Sequence, residues 1–354
     1  MKTLRVAWLT FEALDKTARG LTSTRASLRY RLTIPSTGLE KLGCQSSIVY
    51  VGQSPNRRSI LARLEGVNAV VVGKVMVEAA KIAREAPPLL QLVADIGARG
   101  PKLLADFSDN MSSDPHRGPV DRSLANIVDR VVASTPELAE VMRQQTPVPV
   151  DTVTDPVEGA RGEPRLPLAV SSPAEPLALV WFGHWTNFRT LRLGWQQLAP
   201  LAAERPVSLV VISTPGAERE SAVAAIHAEW RKTGSACQFR PWSVSAVFEA
   251  LREADAVIIP SDPTDPQKAV KSPNRFCESV WAGRFVVAHP LPSYQVFAAC
   301  GWVGADLAEG LRWMLDHPEE ALARIRAGQS AVAASHSPEV VAQAWKSVIE
   351  TAIG

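Results

Sequence analysis

Residues 268–288 read Lys-Ala-Val-Lys-Ser-Pro-Asn-Arg-Phe-Cys-Glu-Ser-Val-Trp-Ala-Gly-Arg-Phe-Val-Val-Ala, and this stretch has the clearest local structure signals in the chain. Ser272 is a residue type that favours a helix N-cap, and Pro273 suits the first helical turn. Gly283 suits the left-handed conformation that commonly follows the last turn of a helix. The pattern predicts a short helix that ends at Gly283 and leads directly into a buried strand, Phe285–Ala288.

Similar apolar, β-branched runs recur along the whole chain, and each is followed by a helical stretch. In a parallel sheet with helices on both faces, strands lose their polar alternation and become continuously apolar. The predicted strands are Arg5–Thr10, Ser47–Val51, Ala69–Val72, Lys102–Phe107 and Arg130–Ser134 in the first half, and Leu177–Phe182, Val207–Ser213, Ala256–Pro260 and Phe285–Ala288 in the second. The fold class is therefore predicted to be α/β, with two doubly wound domains in tandem.

A proline-rich segment separates the two series of strands. Residues 147–176 contain seven prolines, which excludes a long helix or a central strand there. We therefore expect a first domain over residues 1–165 and a second over residues 166–335. Two such domains are expected to present the carboxyl ends of their strands to a shared cleft, where α/β proteins bind ligands.

The last element is predicted to be an amphipathic helix over residues 336–354. Ser337-Pro338-Glu339 is a typical helix start. One face of the helix carries Val341, Trp345, Val348 and Ala352 at helical spacing.

The composition excludes several classes of protein. The 354 residues include 38 basic and 36 acidic side chains, so the whole chain has no field that would attract a nucleic acid, and we expect no such partner. The four cysteines form no pair at zinc spacing, which indicates reduced thiols, a cytoplasmic location and no metal. The amino-terminal apolar run is shorter than a signal-peptide core, and no run reaches about 18 apolar residues, so secretion by this route and membrane spanning are not expected.

Three cations surround the start of the predicted helix. Lys268, Lys271 and Arg275 lie near its positive end, where each exposed cation costs about 0.3–1 kcal/mol. A bound anion would reverse the sign of this interaction, since helix N–H groups and cations together form a phosphate site. The alternative is that these are solvated basic side chains on a surface loop.

Glu278 lies one turn inside the same helix, between apolar neighbours. A carboxylate in such surroundings needs hydroxyl donors or a cation. A ribose diol would supply two hydroxyls, so one helix could hold both the ribose and the phosphates of a nucleotide. An ion pair with Arg275 or Arg284 is the alternative.

The segment from Lys271 to Ala288 resembles the donor-binding element of GT-B glycosyltransferases, particularly the group-1, family 4-like enzymes. The matching residues are Lys271-Ser272-Pro273-Asn274-Arg275-Phe276, Glu278, Ala282-Gly283 and Val286-Val287-Ala288. Further similar pieces stand in the same order as in that family: residues 131–138, Trp181-Phe182-Gly183 and residues 254–261. The resemblance covers the whole chain in architecture. It implies two Rossmann-like domains and a C-terminal helix that crosses back to the first.

The resemblance also implies roles for particular residues. The co-substrate would be a nucleotide-diphosphate sugar, most simply a UDP- or GDP-sugar, with no further cofactor and no metal. The residues implied on the donor side are Gly183, His184, Trp242, Ser272, Asn274, Arg275 and Glu278; those implied in catalysis are Arg189, Lys271 and Asp106; those implied on the acceptor or phosphate side are Gly20, Arg25 and Asp109.

Several of these residues also have ordinary structural interpretations. His184 and Trp242 could be structural side chains, and Asp109 could belong to an Asx turn. Arg25 and Arg29 lie four apart and could form a solvated basic face that rests on anionic lipid at the inner side of the membrane.

The predicted function is transfer of a sugar, with retention, from the nucleotide sugar to a hydroxyl-bearing acceptor. One departure from the family favours an alternative. Many such enzymes carry two glutamates eight positions apart, and Val270 stands where the first would be. The alternative is therefore a non-catalytic nucleotide-sugar binding or assembly protein. A GT-B epimerase is a further candidate, whereas a phosphorylase would need a longer chain.

Overall fold

The computed structural model of the chain describes residues 3–17, 20–52, 56–75, 79–165 and 174–354. The chain divides into two units. The first consists of Met1–Glu158, Val270–Ser272 and Ser335–Gly354, and the second of Gly159–Ala269 and Pro273–Ala334. The position predicted to begin the second domain, residue 166, lies outside the described residues.

The first unit contains a six-stranded parallel sheet. Its strands are β1 (Arg5–Thr10), β4 (Gln45–Tyr50), β5 (Ala69–Val72), β6 (Lys102–Phe107), β7 (Arg130–Ala133) and β8 (Val150–Thr152), in the order β4-β1-β5-β6-β7-β8. Alternate residues of β1 belong to two different hydrophobic clusters. Ala7 and Leu9 belong to one cluster, and Val6 and Trp8 belong to the other. Both faces of the sheet are therefore covered, which explains why its central strands are predominantly apolar.

The helices of the first unit include a π-helical turn. A continuous helical segment runs from Ala26 to Lys41, in which Arg29–Thr33 form the π-helix. An antiparallel pair of short strands, β2 (Asp15–Thr17) and β3 (Gly20–Thr22), precedes it. The other helices of this unit are Arg57–Arg63, Ile82–Gly97, Arg117–Ile127, Pro136–Arg143 and Pro338–Ile353, with a 3₁₀ turn at Ala79–Lys81.

The C-terminal helix packs on the first unit, as predicted. Ser337 caps it by accepting a hydrogen bond from the Val340 N–H, 3.3 Å away. Trp345 is fully buried and meets Trp8 edge to face, with ring centroids 5.0 Å apart. The predicted apolar face is present, and Ile349 is a further buried member of it.

The second unit contains another six-stranded parallel sheet. Its strands are β9 (Leu177–Phe182), β10 (Val207–Ser213), β11 (Ala236–Pro241), β12 (Ala256–Ile259), β13 (Phe285–Ala288) and β14 (Trp302–Val303), in the order β11-β10-β9-β12-β13-β14. The helices are Phe188–Glu204, Ala217–Trp230, Val244–Glu253, Pro266–Ala269, Asn274–Trp281, Pro292–Gln295, Leu307–Asp316 and Pro318–His336, the last of which ends in the first unit; 3₁₀ turns lie at Trp185–Asn187, Arg231–Thr233 and Ala298–Cys300. The α/β fold class with two doubly wound sheets is confirmed.

The segment around Glu278 forms the predicted helix and strand, with one difference. The helix spans Asn274–Trp281, and Pro273 rather than Ser272 occupies the N-cap. Gly283 follows the helix at φ +77°, and a Cβ there would lie 2.3 Å from the Glu163 carbonyl oxygen. This position therefore requires glycine for both its conformation and its space.

Across the described residues, no helix combines the length and the apolar character that crossing a bilayer requires.

Candidate functional site

The strand order of the second sheet has a switch point between β9 and β12. The chain continues from β9 to β10 and β11 on one side and returns to β12 and β13 on the other. Ligands of open α/β sheets bind outside the carboxyl ends of the strands at such a switch point. Gly183 follows β9 directly, and residues 260–269, which include the short helix Pro266–Ala269, follow β12.

Arg275 lies beside the Gly183 turn. A Cβ added at Gly183 would lie 3.6 Å from Arg275 Nη1 and 3.3 Å from the Trp181 ring. That Nη1 is buried and has no hydrogen-bond partner among the described residues. A buried guanidinium nitrogen without an acceptor costs free energy, and an anion at the helix start would remove that cost.

Two more cations contact the segments around this switch point. Lys268 donates a hydrogen bond to Asn187 Oδ1. Arg189 is largely exposed and pairs with Asp265, with Nη2 and Oδ2 2.6 Å apart. Each therefore joins the segment after β12 to the segment after β9, and the charge of Arg189 is balanced by Asp265.

Glu278 is buried, with 3% of its surface exposed. Its Oε2 accepts a hydrogen bond from the Gly159 backbone N–H at 3.3 Å. The ion pair with Arg284 considered from the sequence is not formed, because that guanidinium donates to the Leu251 and Gly283 carbonyls at 2.5 and 2.8 Å. The Glu278 carboxylate therefore contacts the backbone of Gly159, a partner that was not predicted from the sequence.

The remaining donor-side residues lie near the ends of strands or at the helix start. Trp242 is half-buried just after β11. Its backbone N–H donates a hydrogen bond to the Ser213 carbonyl at the end of β10, at 2.9 Å. His184 is exposed and accepts from the Thr186 N–H at 3.4 Å. Asn274 is the first residue of the Glu278 helix, whereas Ser272 belongs to the first unit.

The edge of the first sheet carries a separate charge cluster. Asp109 follows β6 and pairs with Lys74, Nζ to Oδ2 2.5 Å, and with Lys271. Burial alone would raise the pKa of Asp109, but Lys271 and Lys74 outweigh it and hold the pKa well below its usual range. Asp109 is therefore ionised, and Lys271 is neutralised by it within the first unit.

Asp106 is held in a buried ion-pair network. Arg31 Nη2 lies 2.5 Å from Asp106 Oδ1, and Arg31 Nη1 lies 3.0 Å from Asp155 Oδ1. Burial raises the pKa of Asp106, and Arg31 opposes that rise. Asp106 thus has a structural contact in the first unit, and its role toward an acceptor stays a prediction.

The amino-terminal loop differs from its sequence interpretation in one respect. Gly20 begins β3 with φ +116°, and Arg25 pairs with Glu12 Oε2 at 2.6 Å while remaining largely exposed. Arg29 is buried and pairs with Glu158 at 2.8 Å. A solvated basic face made of Arg25 and Arg29 is therefore wrong, because only Arg25 faces solvent.

Some charged residues of these edges were missed from the sequence. Glu12 follows β1 and Lys74 follows β5, the two strands at the switch point of the first sheet. Their position just after apolar strands is the signal that could have identified them. Lys268 and Asn187 were missed as a pair, since their contact joins loops 81 positions apart.

Within the described ranges, no three His, Cys, Asp or Glu side chains are grouped as a metal site would require. No family sequence model matches the chain, and no curated protein sequence matches it.

Solved structures do match over nearly the whole chain. HepE of Anabaena, crystallised with UDP and glucose, is 11% identical with a TM-score of 0.68, over 98% of this chain and 100% of its own. An α-glucosyltransferase in complex with UDP is 10% identical with a TM-score of 0.68, over 98% and 100%. AviGT4, a glycosyltransferase involved in avilamycin A biosynthesis, is 14% identical with a TM-score of 0.57, over 99% and 98%. At these identities the likeness concerns architecture, and the chain has the fold of the GT-B glycosyltransferases.

Proposed function

We propose that the chain is a glycosyltransferase that transfers a sugar from a nucleotide-diphosphate sugar to a hydroxyl acceptor. The observation that carries the proposal is the buried, unpartnered Arg275 Nη1 beside the Gly183 turn, at the start of the helix that contains Glu278. The fold supports the proposal, because neighbours such as HepE were crystallised with UDP and glucose.

Each part of a nucleotide has a candidate partner in the second unit. The diphosphate would accept hydrogen bonds from Arg275 and from the N–H groups at Asn274, which lie at the positive end of the helix. The ribose hydroxyls would donate to Glu278. Trp242 would stack on the base, an interaction worth about 1–3 kcal/mol in nucleic-acid complexes.

The chemistry we propose is electrostatic. As the bond between sugar and phosphate breaks, negative charge grows on the diphosphate, and fixed cations stabilise it. Arg275 is joined in this proposal by Arg189 and Lys271, with retention of configuration and without a metal. Gly183 and His184 would border the phosphates. Roles for Gly20, Arg25, Asp106 and Asp109 toward the acceptor stay predictions.

UDP-sugars are the first donors to test, ahead of GDP-sugars, because the solved neighbours include UDP complexes. A cytoplasmic location, the absence of a nucleic-acid partner and peripheral membrane contact stay predictions, and the last of these no longer rests on a face made of Arg25 and Arg29.

A donor-hydrolysis and transfer assay tests the proposal. The full chain is incubated with UDP-glucose and other nucleotide sugars, with and without simple hydroxyl acceptors, and release of the nucleotide is followed. Turnover at low donor concentration that falls roughly 10- to 100-fold in Glu278→Gln is the expected result, because the variant binds the donor more weakly. The absence of turnover across donors and acceptors, with nucleotide binding retained, contradicts the enzyme assignment.

Nucleotide binding without turnover is the result expected of a non-catalytic nucleotide-sugar binding protein. A specific observation favours this alternative. Val270, at the position of the family's first glutamate, is 5% exposed and packs in the hydrophobic core of the first unit, and its carbonyl accepts from Thr135 Oγ1 at 3.0 Å. The side chain at this position therefore offers no hydrogen bond to a sugar.

A further inference from the structure

The segment Gly159–Glu163, at the start of the second unit, is bound to the helix that contains Glu278. The Gly159 N–H donates to Glu278 Oε2 at 3.3 Å, and the Gly159 carbonyl accepts from Trp281 Nε1 at 2.9 Å. Glu278 and Trp281 are three residues apart and so lie on one face of the helix. Two side chains on this helix face, Glu278 and Trp281, therefore bind the N–H and the carbonyl of the same residue, Gly159.

The same segment is fixed again three residues later. The Gly162 N–H donates to the Trp281 carbonyl at 2.9 Å. The buried Gln329 donates its side-chain amide to the Gly162 carbonyl at 2.7 Å and to the Trp281 carbonyl at 3.0 Å. The Trp281 carbonyl at the end of the helix thus accepts hydrogen bonds from the segment and from Gln329, which joins the segment to the helix end.

Two glycines make this close approach possible. A Cβ added at Gly159 would lie 2.2 Å from the Phe248 ring, and one added at Gly162 would lie 2.3 Å from the Ala282 carbonyl oxygen. Neither glycine has a positive φ. The requirement for glycine is therefore one of space, which lets the Gly159 N–H reach a carboxylate on a neighbouring helix.

We propose that Gly159 is a positioning residue for nucleotide recognition: its N–H orients the Glu278 carboxylate toward the ribose hydroxyls. This inference rests on the proposed function. A hydrogen bond to one carboxylate oxygen fixes the plane of the group, so the geometry offered to the ribose is set before the ligand arrives. Residues 159–163, which the sequence assigned to a proline-rich boundary, thereby belong to the donor-binding element.

Gly159→Ala tests the proposal, with affinities measured by calorimetry for UDP and for 2′,3′-dideoxy-UDP. In the wild-type chain the ratio of these affinities reports the hydroxyl contacts of Glu278. We expect Gly159→Ala to weaken UDP about 10-fold and to leave dideoxy-UDP nearly unchanged, because the new methyl group displaces the backbone from the carboxylate. In a Glu278→Gln background the same change should add no further loss.

Three further variants keep the test sharp. Phe248→Ala in the Gly159→Ala chain removes the clash and should restore most of the UDP affinity. Trp281→Phe removes the donor to the Gly159 carbonyl without adding atoms, and it should lower the UDP to dideoxy-UDP ratio even if Gly159→Ala folds poorly. Gly310→Ala is the matched control, because its Cβ would lie 2.4 Å from the Trp302 ring in the same unit. It should lower Tm without changing the ratio.

Two results would overturn the inference alone: an unchanged affinity ratio in both Gly159→Ala and Trp281→Phe, or fully additive losses in the double variant with Glu278→Gln. Failure of the wild-type chain to bind any nucleoside diphosphate is distinguishable from these, since it overturns the proposed function first and the inference with it.

Discussion

Lys271 and Arg275, four positions apart in the sequence, have different electrostatic surroundings. Lys271 is bound to Asp109, whose other oxygen is bound to Lys74. Arg275 Nη1 has no partner among the described residues although it is buried. Of these two cations, Arg275 is therefore the one with a donor nitrogen, Nη1, that lacks an acceptor among the described residues. Residue type alone does not reveal this difference.

We expect Arg275→Ala to weaken UDP by about 1.5–3 kcal/mol, the usual size of a hydrogen bond to a charged group, and to leave uridine nearly unchanged. Lys271→Ala should also weaken UDP more than uridine, by a smaller amount, because Asp109 already neutralises that ammonium. Titration calorimetry of both ligands measures the four differences. Equal losses for UDP and uridine in Arg275→Ala would place that side chain away from the phosphates.

Asp121 gives a pH-dependent prediction in the first unit. It is 8% exposed on the helix Arg117–Ile127. Burial raises its pKa to about 6, Lys74 opposes the rise and Asp109 adds to it. Because the folded pKa lies above the unfolded one, ionised Asp121 destabilises the chain above about pH 6, and the cost disappears as the pH falls through 6 toward 4.

Asp121→Asn should therefore raise stability at pH 8 by about 1–3 kcal/mol and give no gain near pH 4. Thermal unfolding of the variant and the wild type across this range measures the difference. A gain that is the same at both ends of the range would mean that the charge of Asp121 is not the cause.

At the scale of elements, the sequence predicted the interior of each helix and strand better than its ends and contacts. Continuous apolar runs identified the central strands, whereas the edge strands β8, β11 and β14 were not predicted. Only Cys237 of β11 is buried, so that strand has no apolar run to detect. The helix with Glu278 begins one residue later than expected, a difference of the size by which helix ends commonly vary.

The packing of the C-terminal helix on the helix Ile34–Lys41 offers a stability prediction. A Cβ at Gly38 would lie 2.5 Å from Ala342 Cβ. Alanine normally stabilises a helix interior by up to about 1 kcal/mol relative to glycine. Here we expect Gly38→Ala to destabilise the chain by about 1–3 kcal/mol, because the helices must separate.

Thermal unfolding measures the destabilisation expected in Gly38→Ala, and a second substitution in the facing helix serves as the control. Ala342→Gly in the Gly38→Ala chain returns the missing space, so the double variant should lose less stability than the sum of the two single changes. A Gly38→Ala chain more stable than the wild type would show that the two helices do not depend on this close contact.

At the scale of the whole molecule, the sequence predicted two doubly wound sheets and a closing helix on the first unit. It could not predict which short segments of the chain belong to which unit. Residues 270–272 belong to the first unit although both flanking segments belong to the second. This assignment arises from tertiary contacts, such as Val270 in the first core and Lys271 on Asp109, which no local pattern encodes. For the same reason, Gly159 was not recognised as a partner of Glu278.

The central claim is that the second unit binds a nucleoside diphosphate through the helix Asn274–Trp281. Isothermal titration calorimetry of UDP into the full chain tests it most directly, with Glu278→Gln measured beside the wild type. The account predicts saturable UDP binding by the wild type and binding weaker by about 1–3 kcal/mol in Glu278→Gln, because charge-assisted hydrogen bonds to the ribose are lost. No binding of UDP, GDP, ADP or dTDP to the folded wild-type chain would contradict it.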